Sequence, residues 1–240
     1  MPRAAWFGVP RAVAVCVALA AALVGAGPLG PSAPAASAVP ARLAAAAGPV
    51  RAADKPEIAS DPIPYGAARR AQMARYAQRH YGTRTARLTD VRQIVLHFTV
   101  TSGYRSVWNT FAANTAAKGT TGAPEKPGTC AHFVVDTDGT IHQLVSLRWM
   151  CRHAVGLNDQ SIGIEFVEPR SAANILKRPA QAEAGVRLVR WLQSEYGVAD
   201  KDVIGHSMVN RSRFFTDRRG WRNTHVDWSA AQVRRFRALL

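Results

Sequence analysis

Residues 93–100, Gln-Ile-Val-Leu-His-Phe-Thr-Val, run almost unbroken through apolar and β-branched side chains, which predicts a buried strand with one polar residue, His97, at its middle. Residues 161–167, Ser-Ile-Gly-Ile-Glu-Phe-Val, repeat the pattern around Glu165. Between them, apolar runs at 132–136 and 141–145 flank Thr-Asp-Gly-Thr, where Asp-Gly supplies the positive φ of a hairpin turn. A shorter stretch, Val203-Ile204-Gly205, reads as a strand that ends at His206.

Helical spacing accounts for most of the remainder. Residues 67–80 lack Gly and Pro, place Ala67, Arg70, Ala71, Ala74 and Ala77 on one face, and add Met73 and Tyr76 as apolar bulk. This predicts a basic amphipathic helix packed on the domain that follows. Further helices are expected at 106–117, at 180–196 with Gly197 as terminator, and at 229–240 with Ser229 as N-cap. Residues 118–129 read as a Gly/Pro/Thr loop. Strands and helices mix without strict alternation and without an internal repeat. The expectation is an α/β chain: a single domain with a central mixed β-sheet flanked by helices.

Composition changes the picture at the N-terminus. Arg3 and Arg11 precede an uncharged apolar run at 12–27, and Ala-Ser-Ala follows at 36–38, which is the order of a secretory leader. The run is 16 residues long, short of the roughly 20 that span a bilayer. Residues 1–38 are therefore expected to be cleaved, and Cys16, inside the run, to leave with them. Residues 39–60 are Ala/Pro-rich without apolar periodicity and read as a linker. Residues 61–92 then form a helical extension and 93–240 the main domain.

The 31 Lys+Arg against 16 Asp+Glu give a net charge of +15, and loss of the leader, with two arginines and no acid, lowers it to +13. Nucleic acid, membrane surfaces and cell walls all attract such a chain through the same long-range field. Its basic residues are scattered from Arg51 to Arg237 rather than clustered with aromatics, which argues against nucleic acid. A cell-wall location suits an exported protein, with no stable membrane insertion after cleavage; a monomer is expected.

Buried strands rarely carry ionisable groups, because desolvation is costly unless a partner compensates. Here His97, Glu165 and His206 lie on three strands, with His132, His153, His225 and Asp227 at strand ends or in loops. Such a set suggests a metal site. Catalytic zinc takes three protein ligands and leaves one position open, but no local zinc signature such as His-Glu-x-x-His is present.

The ordered segments I-V-L-H-F-T (94–99), C-A-H-F-V-V-D-T-D-G-T-I-H-Q (130–143), R-H-A-V-G-L-N-D-Q-S-I-G-I-E (152–165), G-H-S (205–207) and H-V-D-W (225–228) together resemble the zinc-dependent N-acetylmuramoyl-L-alanine amidases of type 2, which share a fold with peptidoglycan-recognition proteins. The resemblance covers 93–240. It implies a peptidoglycan-recognition-protein-like fold and one zinc ion held by His97, His206 and Asp227. It further implies Glu165 as catalytic carboxylate and peptidoglycan as substrate, cut between N-acetylmuramic acid and L-alanine. Anionic wall polymers are a second candidate partner.

The chain departs from the family pattern in two places. His225 stands where many relatives carry Lys two residues before the third ligand, and is expected to donate to the oxyanion. Trp228-Ser229 replaces the Pro-Gly that commonly follows, which leaves Asp217 as a rival third ligand. His132 and His153 are expected in the cleft wall, against substrate or the metal's water, with structural hydrogen bonding as the alternative. Trp149 is expected in the cleft, and His80 and His142 at the surface. Cys130 and Cys151, an even pair in an exported chain, are expected to form a disulfide. Two other functions remain open on the sequence: a non-catalytic peptidoglycan-binding module of the same fold, and a zinc peptidase acting within the stem peptide.

Overall fold

Along the residues that the computed structural model describes, 53–118 and 123–240, the elements are β1 (Ala59–Ser60), α1 (Ala67–His80), β2 (Gln93–Phe98), α2 (Tyr104–Ala112), β3 (Phe133–Val135), β4 (Ile141–Gln143), β5 (Ser161–Phe166), α3 (Ala172–Ile175), α4 (Pro179–Tyr196), β6 (Val203–Gly205) and α5 (Ala230–Arg237). Short 3-10 helices occupy Asp200–Asp202 and His206–Arg211. The six strands form one sheet in the order β1-β4-β3-β5-β2-β6, with β3 and β4 antiparallel and every other pair parallel. This is the expected mixed sheet. The two uninterrupted apolar runs became its interior strands, as burial on both faces requires.

Side-chain alternation then divides the sheet into two unlike faces. One carries Ile94, Leu96, Ile162, Ile164, Phe133 and Val135 into the main core, where Leu188, Val189 and Leu192 of α4 and Phe236 of α5 meet them. On the other, apolar packing splits into two smaller clusters. Val95 joins Leu157 and Ile204 in one, and Val134 joins Phe111, Cys130 and Cys151 in the other. His97 and Glu165 are paired in register on β2 and β5, and Val134 lies beside Glu165 on β3. The two ionisable residues therefore share this face at the C-terminal ends of parallel strands. His206 follows Gly205, which pairs with Leu96, so it arrives next to His97.

The helices match their signals closely. α1 covers the expected span, α4 ends at Gly197 in the left-handed region (φ 66°), and α5 opens with a full capping box between Ser229 and Gln232. Helix α2 sits earlier than the expected 106–117, and α3 and β1 carried too few residues for a periodic signal. The expected leader and most of the expected linker lie outside the described residues, but Ala59–Ser60, at the linker's end, adds a parallel edge strand to β4. Helix α1 packs on the domain as expected, with Met73, Tyr76 and Ala77 fully buried in the main core. Among the described residues, no helix is long and apolar enough to cross a membrane.

Cys130 and Cys151 form the expected disulfide across 21 positions. It ties the segment before β3 to the one that leads to His153. Reduction is expected to lower stability by about 3 kcal/mol through restored freedom of the unfolded loop. Urea unfolding with and without reductant measures the loss.

Candidate metal centre

Three segments with no sequence proximity bring His97, His206 and Asp227 together, with one ligand-type atom of each within 4.8 Å of the others. His97 Nδ1 lies 3.0 Å from His206 Nδ1, which in turn lies 3.1 Å from Asp227 Oδ1, and Asp227 Oδ2 is 3.5 Å from His97 Nδ1. All three residues are buried.

The outer ring nitrogens decide what the inner ones can do. His206 Nε2 lies 2.9 Å from Asn223 Oδ1. That oxygen also accepts from Val155 N, while Asn223 Nδ2 donates to Val155 O, so Asn223 accepts and His206 Nε2 carries the proton. On the other side, Ser161 spends its hydroxyl proton on Leu157 O. It meets His153 Nε2 as an acceptor through both Oγ and its carbonyl, at 3.3 Å. His153 Nε2 is therefore the donor, His153 Nδ1 the acceptor, and His97 Nε2, 3.1 Å away, donates to it. Both inner Nδ1 atoms are left with lone pairs turned toward a carboxylate. Such an arrangement is electrostatically unfavourable unless a cation or a proton occupies it.

Titration shifts reinforce this geometry. Burial, followed by the nearby His206, pushes the His97 imidazole down to about 4, so it is neutral at pH 7 and fit to coordinate. His153 is driven well below its usual value by burial and then by His97. Two imidazole nitrogens and one carboxylate form a ligand set that suits zinc.

Glu165 faces the same cleft, an opening of about 210 Å³ walled also by Val107, Thr110 and Phe111 of and beside α2's inner face. Its Oε2 is buried without a hydrogen-bond partner, and burial, then repulsion from Asp227, raises its carboxyl well above the usual value. Room for its neighbour comes from Gly163, where a Cβ would fall 2.6 Å from the His153 ring. His225 is exposed at the rim and stacks on His206 with ring centroids 4.9 Å apart. Burial, then His206, lowers its imidazole. A second chamber of about 220 Å³ adjoins the first and shares Thr129, His153, His206 and His225 with it. Lys118, Arg152 and Arg222 line it, with no carboxylate among its described lining residues. The Arg152 guanidinium there bonds the carbonyls of Ala117, Glu125 and Pro127.

The structure thus brings together six of the expected site residues: His97, His206, Asp227, Glu165, His225 and His153. The remaining two lie elsewhere. His132 is fully buried, accepts from Gly163 N through Nδ1 and donates to Trp149 O through Nε2. With both nitrogens engaged it has nothing to offer a substrate, and the cleft-wall reading is corrected to a structural one. Trp149 holds its indole between the guanidinium groups of Arg70 and Arg87, at 4.8 and 5.1 Å, and does not line the cleft.

Asp217, the rival ligand, is also elsewhere. Its Oδ2 lies 2.7 Å from His80 Nδ1, and the other nitrogen of that ring lies 2.6 Å from Glu125 Oε1. His80 is therefore no surface residue: it is fully buried, stacked on Tyr76 and edged by Trp221. Sequence reading missed Asn223 and Ser161, the acceptors that assign the imidazole tautomers. Both are short polar residues whose role depends on a partner distant in sequence.

A family model described as N-acetylmuramoyl-L-alanine amidase matches residues 87–219. Among solved structures, the endolysin N-acetylmuramoyl-L-alanine amidase LysCS from Clostridium intestinale URNW is 17% identical, with a TM-score of 0.42 over 67% of this chain and 87% of that one. A selenomethionyl AmpD derivative is 17% identical, with a TM-score of 0.48 over 77% of this chain and 97% of that one. A mutant endolysin from Bacillus subtilis is 20% identical, with a TM-score of 0.43 over 64% and 86%. No curated protein matches the chain.

His132 gives a test of the buried histidine chemistry away from the ligands. Burial pushes its imidazole down to about 4, against an ordinary 6.5. Its neutral form thus contributes stability that is present above pH 6.5 and is lost as pH falls toward 4, by at most about 1.4 kcal/mol per pH unit. A His132→Gln variant lacks this titration. Its thermal midpoint should lie below that of the parent at pH 7, with the gap narrowing between pH 6.5 and 4; a gap that widens on acidification would contradict the assignment.

Proposed function

The chain belongs to the N-acetylmuramoyl-L-alanine amidase family, and we propose that it is an exported zinc hydrolase that cuts the amide between the lactyl group of N-acetylmuramic acid and L-alanine of the stem peptide. The observation that carries the zinc reading is the convergence of two Nδ1 lone pairs and one ionised carboxylate beside a buried, unpartnered Glu165 oxygen. A binding module that never cuts has no need of Glu165 in this position. The N-terminal order of charges, apolar run and small residues supports export.

The amide resists water because its carbonyl is weakly electrophilic and its amine a poor leaving group. When bound by His97, His206 and Asp227, zinc supplies Lewis acidity to the scissile carbonyl and acidifies the attacking water. Glu165 takes the proton from that water at Oε2 and delivers it to the departing nitrogen; burial raises its carboxyl above the usual value, which favours holding the proton between the two steps. His225, whose imidazole burial pushes below its usual value, donates from one ring nitrogen to the developing oxyanion at the rim. Asn223 and His153 keep both ligand rings in the coordinating tautomer. The basic chamber favours the acidic stem peptide on the Lys118 and Arg222 side, which leaves the α2 side of the cleft to the neutral glycan.

Ligand and proton carrier fail differently when removed. His97→Ala, His206→Ala or Asp227→Ala should lower zinc content and activity together, as should a chelator. Glu165→Gln should retain zinc and lose about 10²- to 10⁴-fold in turnover. His225→Ala should retain zinc and lose about 10²- to 10³-fold. Metal analysis paired with mass spectrometry of digested muropeptides reads both quantities. A Glu165→Gln protein that cuts at the parent rate would sink this mechanism.

A further inference from the structure

Three segments carry the ligands, and only two of them are held together by the sheet. β2 and β6 are ladder neighbours, so His97 and His206 inherit their spacing from backbone pairing. Asp227 lies in a segment that belongs to no strand or helix. We propose that Trp228, the residue after it, is the positioning residue that sets the metal geometry of the centre. The proposal rests on the zinc reading above.

Trp228 is bonded to all three ligand segments. Its Nε1–H donates to the carbonyl of His97 at 3.0 Å. Its own carbonyl accepts from Ser207 Oγ at 2.9 Å, and Ser207 N donates to Asp227 O at 3.1 Å. The residue after the second ligand is thereby tied twice to the third ligand and its neighbour. Gly205, which precedes the second ligand, fits against the same place: a Cβ there would fall 2.0 Å from Trp228 O.

The backbone at Trp228 has φ 54°, a left-handed conformation that a bulky residue holds only where its surroundings over-determine it. The surroundings are visible. The indole is fully buried, 5.4 Å from the Phe166 ring and 5.5 Å from Phe236. The core clamps the ring, the ring fixes the turn, and the turn presents Asp227 to the two imidazoles.

Packing alone does not require the indole N–H, and the test exploits this. Trp228→Phe keeps an aromatic ring and removes the donor to His97 O. Ser207→Ala removes only an exposed residue's hydroxyl, so it keeps the fold. Phe236→Leu disturbs the same aromatic cluster without touching a ligand segment. Zinc affinity is measured by competition with a chromogenic chelator, and the thermal midpoint of each metal-free protein is recorded beside it. Trp228→Phe should weaken zinc binding by about 10- to 100-fold and Ser207→Ala severalfold, while Phe236→Leu lowers the midpoint and binds zinc like the parent. The proposal is overturned if Trp228→Phe and Ser207→Ala bind zinc within twofold of the parent, or if Phe236→Leu weakens zinc as much as Trp228→Phe does. A parent that binds no zinc overturns both this proposal and the metal reading. Failure of the amidase reading shows separately, as a parent that binds zinc and leaves the amide intact, and it does not alter how these affinities count.

Discussion

Two buried imidazoles whose outer nitrogens are already committed impose the constraint on which the rest of this structure depends. His206 gives its Nε2 proton to Asn223, and His97 gives its own to His153, which passes the demand on to Ser161. Neither ring can turn or change tautomer without stranding a buried polar group, at a cost of roughly 1–3 kcal/mol each. The inner nitrogens are therefore presented as lone pairs, and Asp227 adds negative charge to them. The protein stores an electrostatic demand for a cation and meets it with packing rather than with flexibility.

That demand explains several local choices. Glycine at 163 admits the His153 ring, and glycine at 205 admits the Trp228 carbonyl. The face of β2 and β5 that carries His97 and Glu165 gives up continuous apolar packing, while the opposite face carries the larger core and much of the stability. Asn223 is itself fixed by two bonds to Val155 and by Asn210, so the loop bearing His225 and Asp227 is anchored before any metal arrives. The Asp217–His80–Glu125 cluster holds a neighbouring part of the same loop to α1, which lies outside the residues matched by the family model.

Much of this was legible in the sequence. Apolar runs with one ionisable residue at the middle marked β2 and β5, and strict strand alternation puts His97 and Glu165 on one face when the strands pair as they do here. The caps at Ser229 and Gly197 also spoke for themselves. What could not be read was pairing between distant short polar residues. His132 and His153 sit in similar motif positions, yet one has both ring nitrogens spent on backbone groups and the other supports a ligand, because only the fold decides which ring meets Gly163 N and which meets His97. His80 ended a basic helix and resembled a surface residue; two carboxylates from distant loops made it a buried one. Trp149 was drawn toward the cleft by proximity in sequence to His153, whereas two arginines hold it elsewhere.

The tautomers of the two ligand rings can be observed directly. Long-range ¹⁵N–¹H correlation spectra of the zinc-loaded protein, with His97 and His206 assigned by substitution, report which ring nitrogen carries a proton. Protons on Nε2 of both rings, with both Nδ1 atoms bound to the metal, are the expected result. A proton on Nδ1 of either His97 or His206 in that sample would contradict the central claim, since the lone pairs said to hold the cation would not exist.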